Sequence, residues 1–238
     1  RLITLGTPHL GATSAIDNLF NGNQMMAVVD KLNQMNGMRD VVLSMPSICQ
    51  LLPAPPEALP AGVGNPADWD LYDAKAWNVP GLRQENLDMA KAFYLGLTGS
   101  DPQVPITQIA GCNINTATIA SILTSGGQNK LSLESFEDGK QSGDGTVPGW
   151  SGFYNKADLY YIQEVHRNLP GNKNVIQAVQ SLIVSGTCDL PKRIPKRKTG
   201  LFARAPITST TAQAAVLDEK IRSGTIQDDD LSSLYFAL

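Results

Sequence analysis

Leu159 to Val165 (LYYIQEV) is dense in the aromatic and β-branched residues that strands favour. Shortly after it, Asn172 precedes a run carrying Val175, Ile176, Val179, Leu182 and Ile183, which reads as one apolar stripe of a helix with Asn172 as its N-cap. A strand followed at once by a helix is the unit of a parallel sheet with helices on its faces, so the fold class is α/β. Two further strands fit the pattern: Leu2 to Leu5, and Pro105 to Gly111 (PITQIAG), entered from proline and closed by glycine. Each ends in a loop holding polar residues.

Between these strands the spacing changes. Met25, Val28, Val29, Leu32 and Met35 predict an amphipathic helix over Gln24 to Met35, and Leu87, Ala90, Tyr94 and Leu97 predict a second that ends near Gly96 to Gly99. Seven prolines from Pro46 to Pro80 exclude a long helix or a central strand there and leave irregular cover. Beyond Gly186, Lys192, Arg193, Lys196, Arg197 and Lys198 beside Pro191 and Pro195 read as a basic linker with a boundary near 190. A small helical appendage follows, with one helix over Ala212 to Ile221 and a second opened by Asp228-Asp229-Asp230.

Composition narrows the function classes. With 238 residues, 42 % of them hydrophobic, 17 % charged and a net charge of −3, the chain can bury a sizeable core and lacks the basic excess of a nucleic-acid binder. No run of 18 apolar residues occurs, so no transmembrane segment is expected, and the first twenty residues lack a signal-peptide layout. The chain passes from Arg1 straight into an apolar strand, so we expect either a removed leader or a start within a domain. Cys49, Cys112 and Cys188 show no metal spacing and allow at most one internal disulfide.

Only two histidines compete for the role of general base, the side chain best suited to proton transfer near neutrality. His166 follows a strand and precedes a helix, where α/β sheets gather functional groups, although a loop histidine also serves as a surface or capping residue. Asp144, in Ser142-Gly143-Asp144-Gly145-Thr146-Val147-Pro148, is a carboxylate presented between two glycines. It reads either as an acid orienting an imidazole or as an ordinary tight turn. Acid then base, 22 residues apart, is the closing order of the serine triad in α/β-hydrolases, whose nucleophile sits upstream on a Gly-x-Ser-x-Gly elbow. The chain contains no such elbow: Gly149-Trp150-Ser151-Gly152-Phe153 fails at its fifth position and follows the acid.

Four segments in order carry a family resemblance. Leu2-Ile3-Thr4-Leu5-Gly6-Thr7-Pro8-His9-Leu10-Gly11 resembles the strand and loop that follow the nucleophile elbow in lipases of the lecithin:cholesterol acyltransferase family. Met45-Pro46-Ser47-Ile48-Cys49-Gln50-Leu51-Leu52-Pro53 is similar to its cap segment, Gly143 to Pro148 to its acid loop, and His166 to its histidine loop. The resemblance covers about residues 1 to 185. It implies a partial α/β-hydrolase fold, comprising the C-terminal strands of a mostly parallel sheet with a helical cap insertion. Residues 1–188 would be the hydrolase part, 12–104 its cap or lid, and 189–238 the basic linker and appendage.

It further implies Asp144 and His166 as the second and third members of a Ser-Asp-His triad, with the serine and the oxyanion hole upstream of this chain, and a lipid or other acyl ester as substrate. Thr7 and His9 would then lie near the site as substrate-binding residues. Trp69, Trp77 and the Met25/Met26 pair read either as the lining of an acyl tunnel or as ordinary core. The basic cluster reads either as a peripheral contact with anionic lipid or as a solvated linker. Asp138 and Asp158 lack the glycine frame of Asp144. No cofactor, metal or nucleic-acid partner is expected. The rival readings are a catalytically inactive lipase-like binding module and an esterase acting on non-lipid esters.

Overall fold

Five strands, seven α-helices and a helical stretch at 217–222 form in the computed structural model, among the residues it describes: 1–22, 24–32, 37–99, 101–125, 128–135, 143–152, 154, 156–196 and 217–227. The strands are β1 (Leu2–Leu5), β2 (Ile106–Gly111), β3 (Ala117–Ser125), β4 (Gln128–Ser135) and β5 (Ala157–Ile162). The helices are α1 (Thr13–Phe20), α2 (Gln24–Leu32), α3 (Met38–Ser44), α4 (Pro46–Cys49), α5 (Ala74–Trp77), α6 (Gln84–Gly99) and α7 (Lys173–Val184). The expected α/β class is therefore present, as a parallel sheet with helices.

That sheet has the order β1-β2-β5. β1 runs parallel to β2 from Leu2↔Ile106 to Leu5↔Ile109, and β2 runs parallel to β5 from Ile106↔Ala157 to Gly111↔Ile162. Since side chains alternate along a strand, this register sorts the two faces. Ile3, Leu5, Ile109, Tyr160 and Ile162 share one core with Leu169 and with Val175, Ala178, Val179 and Leu182 of α7. Thr4 and Gln108, register partners, fall on the other face, where Gln108 is fully buried and its Nε2 donates to the Gly152 carbonyl.

α7 forms behind its expected cap, the Asn172 side chain accepting from the backbone N–H groups of Asn174 and Val175. The expected apolar stripe divides, however. Ile176 and Ile183 point to solvent, because one step along a helix turns a side chain by about 100° away from the buried Val175 and Leu182. The third strand also shifts, to Ala157–Ile162 instead of Leu159 to Val165. β2 ends at Gly111, and its pairing with β5 closes where the Cys112 N–H donates to the Ile162 carbonyl.

Residues 12–104 hold α1 to α6 and most of a second core, in which Ile16, Leu19, Leu52, Trp77, Leu87 and Tyr94 are buried with Leu10 and with Ala120 of β3. α1 was absent from the sequence reading; it is eight residues long and its N-cap, Ala12, offers no side-chain cap. The proline-rich stretch forms only short pieces, two of them opened by proline at the first turn. The antiparallel hairpin β3-β4 was likewise unread, and β3 packs against α1. Gln24–Leu32 is helical as expected, while 33–36 lie outside the described residues. Of the expected Ala212 to Ile221 helix, 217–222 are helical and 212–216 lie outside the described residues, as does Asp228-Asp229-Asp230. Leu217 and Ile221 pack on Val28, Val29 and Leu32 of α2, and Lys31 pairs with Asp218. Among the described residues no helix is long and apolar enough to cross a membrane.

Leu169 joins β5 to α7 at 0 % exposure. Leu169→Ala is expected to cost about 2–5 kcal/mol, while Ile183→Ser, at an exposed position, stays within about 0.5 kcal/mol. Urea denaturation of the two variants beside the parent checks both values.

Candidate active site

The carboxyl ends of β1, β2 and β5 meet three loops. After β1 the chain turns at Gly6, which takes φ +60° and donates its N–H to the Ile109 carbonyl. After β5, Cys112 N–H fixes Ile162, and His166 opens a 3₁₀ turn to Gly171 that seats Leu169 in the sheet core. The third loop holds Asp144, whose N–H donates to the Val147 carbonyl at 3.2 Å. Gly143 permits that turn, since any Cβ there would sit 1.8 Å from the Val147 carbonyl oxygen.

These loops bring the two sequence candidates together. Asp144 Oδ2 lies 2.8 Å from His166 Nδ1, and the His166 backbone N–H donates to the Asp144 carbonyl, also at 2.8 Å. The other carboxylate oxygen, Oδ1, accepts from the backbone N–H groups of Thr146 (3.1 Å) and Val147 (2.7 Å). Asp144 is 1 % exposed and the imidazole 33 %. An ionised carboxylate only accepts, so Nδ1 carries the hydrogen and Nε2 is left with its lone pair. Among the described residues nothing bonds Nε2.

The hydrogen bond to Asp144 holds the His166 imidazole above its ordinary 6.5, against the opposing effect of burial, and the carboxylate charge adds to the rise. The glycines decide how close the loops come. A Cβ at Gly6 would meet Leu169 Cδ1 at 2.7 Å, His166 Nδ1 at 3.0 Å and Asp144 Oδ2 at 3.2 Å, and a Cβ at Gly111 would meet Asp144 Cβ at 2.4 Å. In the sequence Gly6 reads only as part of the loop after the first strand and Gly111 only as the close of the second; nothing local points to these approaches.

Behind the carboxylate a cavity of about 10 Å³, room for one water at most, is lined by Gly6, Gly111, Cys112, Tyr161 and Ile194. Ile194 belongs to the basic segment. Tyr161 N–H donates to the Pro191 carbonyl and Asn113 Nδ2 to the Pro195 carbonyl, and Lys192 lies over the Tyr160 ring and pairs with Asp158. Residues 191–195 thus strap the outer side of β5. Asp158 is exposed on that side, away from His166, and Asp138, Arg197 and Lys198 lie outside the described residues.

Thr7 and His9 lie in the loop after β1, half-buried, and neither side chain bonds to the pair. His9 stacks on Tyr154 with centroids 5.3 Å apart, its Nε2 is buried without a partner, and burial lowers its pKa. Trp77 is core and donates to the Leu71 carbonyl, and Met26 is buried; Trp69 packs edge-on against Trp77 and lines a cleft of about 370 Å³ with Glu57, Asp68, Asp70 and Lys91. The cysteines are free, with the Cys49 thiol pushed up by burial to about 11 and that of Cys112 to about 12. Among the described residues no cluster of histidine, cysteine or carboxylates could hold a metal.

His166 and His9 are the only two imidazoles, so their NMR titrations separate cleanly. His166 should titrate above 6.5 in the parent and fall in Asp144→Asn. A pKa raised by folding stabilises fully below the unfolded value and is lost as pH climbs through the folded one. Asp144→Asn should therefore cost more stability near about pH 5 than near about pH 9, read from urea midpoints. Gly6→Ala should displace the imidazole and lower its pKa as well. No family model matches the chain, and no curated protein matches it.

Proposed function

We propose that the chain carries the acid and the base of a Ser-Asp-His triad in an α/β-hydrolase fold similar to that of the lecithin:cholesterol acyltransferase family of lipases, and that the whole protein acts on acyl esters of lipids by O-acyl transfer or hydrolysis. The observation that carries the reading is the Asp144–His166 pair at the carboxyl end of a parallel sheet, with Nδ1 on the carboxylate and Nε2 free. In this reading His166 Nε2 takes the proton of a serine hydroxyl as it attacks the ester carbonyl, and returns it to the leaving alkoxide. Asp144 keeps the imidazole in the productive tautomer and stabilises the imidazolium. Backbone amides elsewhere supply the oxyanion contacts, about 3–4 kcal/mol for each donor.

The elbow serine is supplied from sequence outside these 238 residues, which contain no Gly-x-Ser-x-Gly. Support comes from β1, whose second edge is unpaired among the described residues and is open to a parallel strand leading into such an elbow. Exposed Val41, Met45, Leu51, Met89 and Phe93, on α3, α6 and the turns flanking α4, support an apolar ester met at a lipid surface.

A fluorophosphonate probe applied to an extract of the natural source, followed by peptide mapping, tests the reading. The expected adduct is on a serine upstream of Arg1, in a polypeptide that also contains the Asp144 loop. The purified 238-residue chain should neither label nor turn over a short-chain nitrophenyl ester. An adduct within residues 1–238 would place the nucleophile elsewhere, and no adduct on any form would leave a lipase-like binding module.

A further inference from the structure

The acid loop is held from below by a residue that the triad does not use. β2 ends at Gly111, Asn113 takes φ +62°, and Ile114 N–H donates to the Gly143 carbonyl at 3.0 Å, so residues 112–116 run beneath the Asp144 turn. Thr116, 2 % exposed, places its hydroxyl there. Its Oγ1 accepts from the N–H of Gly143 (3.0 Å) and of Gly145 (2.9 Å), and its hydrogen goes to the Ile114 carbonyl (2.8 Å). A hydroxyl has two lone pairs and one hydrogen, and all three are in use.

The two amides that this hydroxyl binds belong to the residues on either side of Asp144. Fixing both neighbours fixes the direction in which the Asp144 side chain leaves the backbone. The N–H groups of Thr146 and Val147 then occupy Oδ1, so that Oδ2 is the atom left for the imidazole. Gly143 and Gly145 give the loop its bend but no side chain with which to hold it. The buried Gly143 N–H has the Thr116 hydroxyl as its partner, so a side chain of the same shape without that oxygen strands a buried donor.

We infer that Thr116 is a positioning residue that aims the Asp144 carboxylate at His166 by binding both flanking amides, a role whose catalytic meaning rests on the triad reading above. It acts through Asp144, the charged group that faces His166 Nδ1. Two features separate it from a residue that merely fills space: the oxygen matters and the methyl does not, and the effect appears at an imidazole to which Thr116 is not bonded.

The test is nitrogen-15 NMR of the imidazoles in the full 238-residue chain, with Thr116→Val, Thr116→Ser and Asp144→Asn beside the parent. The parent and Thr116→Ser should show His166 as the Nδ1-protonated tautomer. In Thr116→Val the tautomers should mix and the His166 pKa should fall in the same direction as in Asp144→Asn, while His9 stays put. A folded Thr116→Val chain that keeps the parent's tautomer and titration overturns the proposal. If Thr116→Val does not fold, Thr116→Ser decides: parent-like behaviour supports the hydroxyl, and loss of the Nδ1 tautomer shows that the methyl held the loop and overturns it. An Asp144→Asn chain in which His166 titrates like the parent removes the triad reading itself, so the two failures are told apart.

Discussion

Taking a carboxylate out of water costs several kcal/mol unless its oxygens find donors, and Asp144, at 1 % exposure, is where this chain meets that demand. Three donors answer it: two backbone amides on one oxygen and an imidazole on the other. The amides come from the same tight loop, but the imidazole has to be delivered by another segment. Much of the surrounding architecture follows from bringing the two together. β2 and β5 run parallel in a register that ends them side by side, so that the acid loop and the histidine loop meet above the same two strands.

Delivery of the imidazole depends on packing as much as on hydrogen bonding. Leu169, three residues past His166, is buried in the core that β1, β2 and β5 share with α7, and it anchors the 3₁₀ turn on which the imidazole rides. Gly6 closes the gap from the β1 side, because anything larger would strike Leu169, the imidazole and the carboxylate at once. Charge and shape therefore hold the pair jointly. A second core, mostly of residues 12–104 with Leu10 and Ala120, shares no residue with this one, so substitutions around Trp77 or Tyr94 and substitutions around Leu169 act on different parts of the molecule.

The sequence revealed what is local and periodic. β1 and β2 were legible from apolar runs bounded by glycine and proline, and α7 from its cap, because these signals lie within a few residues of each other. Asp144 and His166 were legible as a pair because their order along the chain matches a known triad order. α1 escaped notice for want of a capping side chain, and the β3-β4 hairpin because alternation in it is weak. Gly6 and Gly111 were legible only as strand ends, and Thr116 not at all. Their importance comes from what lies opposite them in space, at separations of 27 to 29 residues for the Thr116 contacts, and neither residue type nor local spacing encodes that.

The strap over β5 carries a directional consequence. Tyr161 donates to Pro191, and the segment that receives the bond contains Pro191 and Pro195, which have no N–H of their own to offer outward. A flank finished by imino acids is a poor template for another strand, whereas the far side of β1 pairs with no strand among the described residues. The strap therefore disfavours extension of the sheet on the β5 flank, beside the Asp144 cavity.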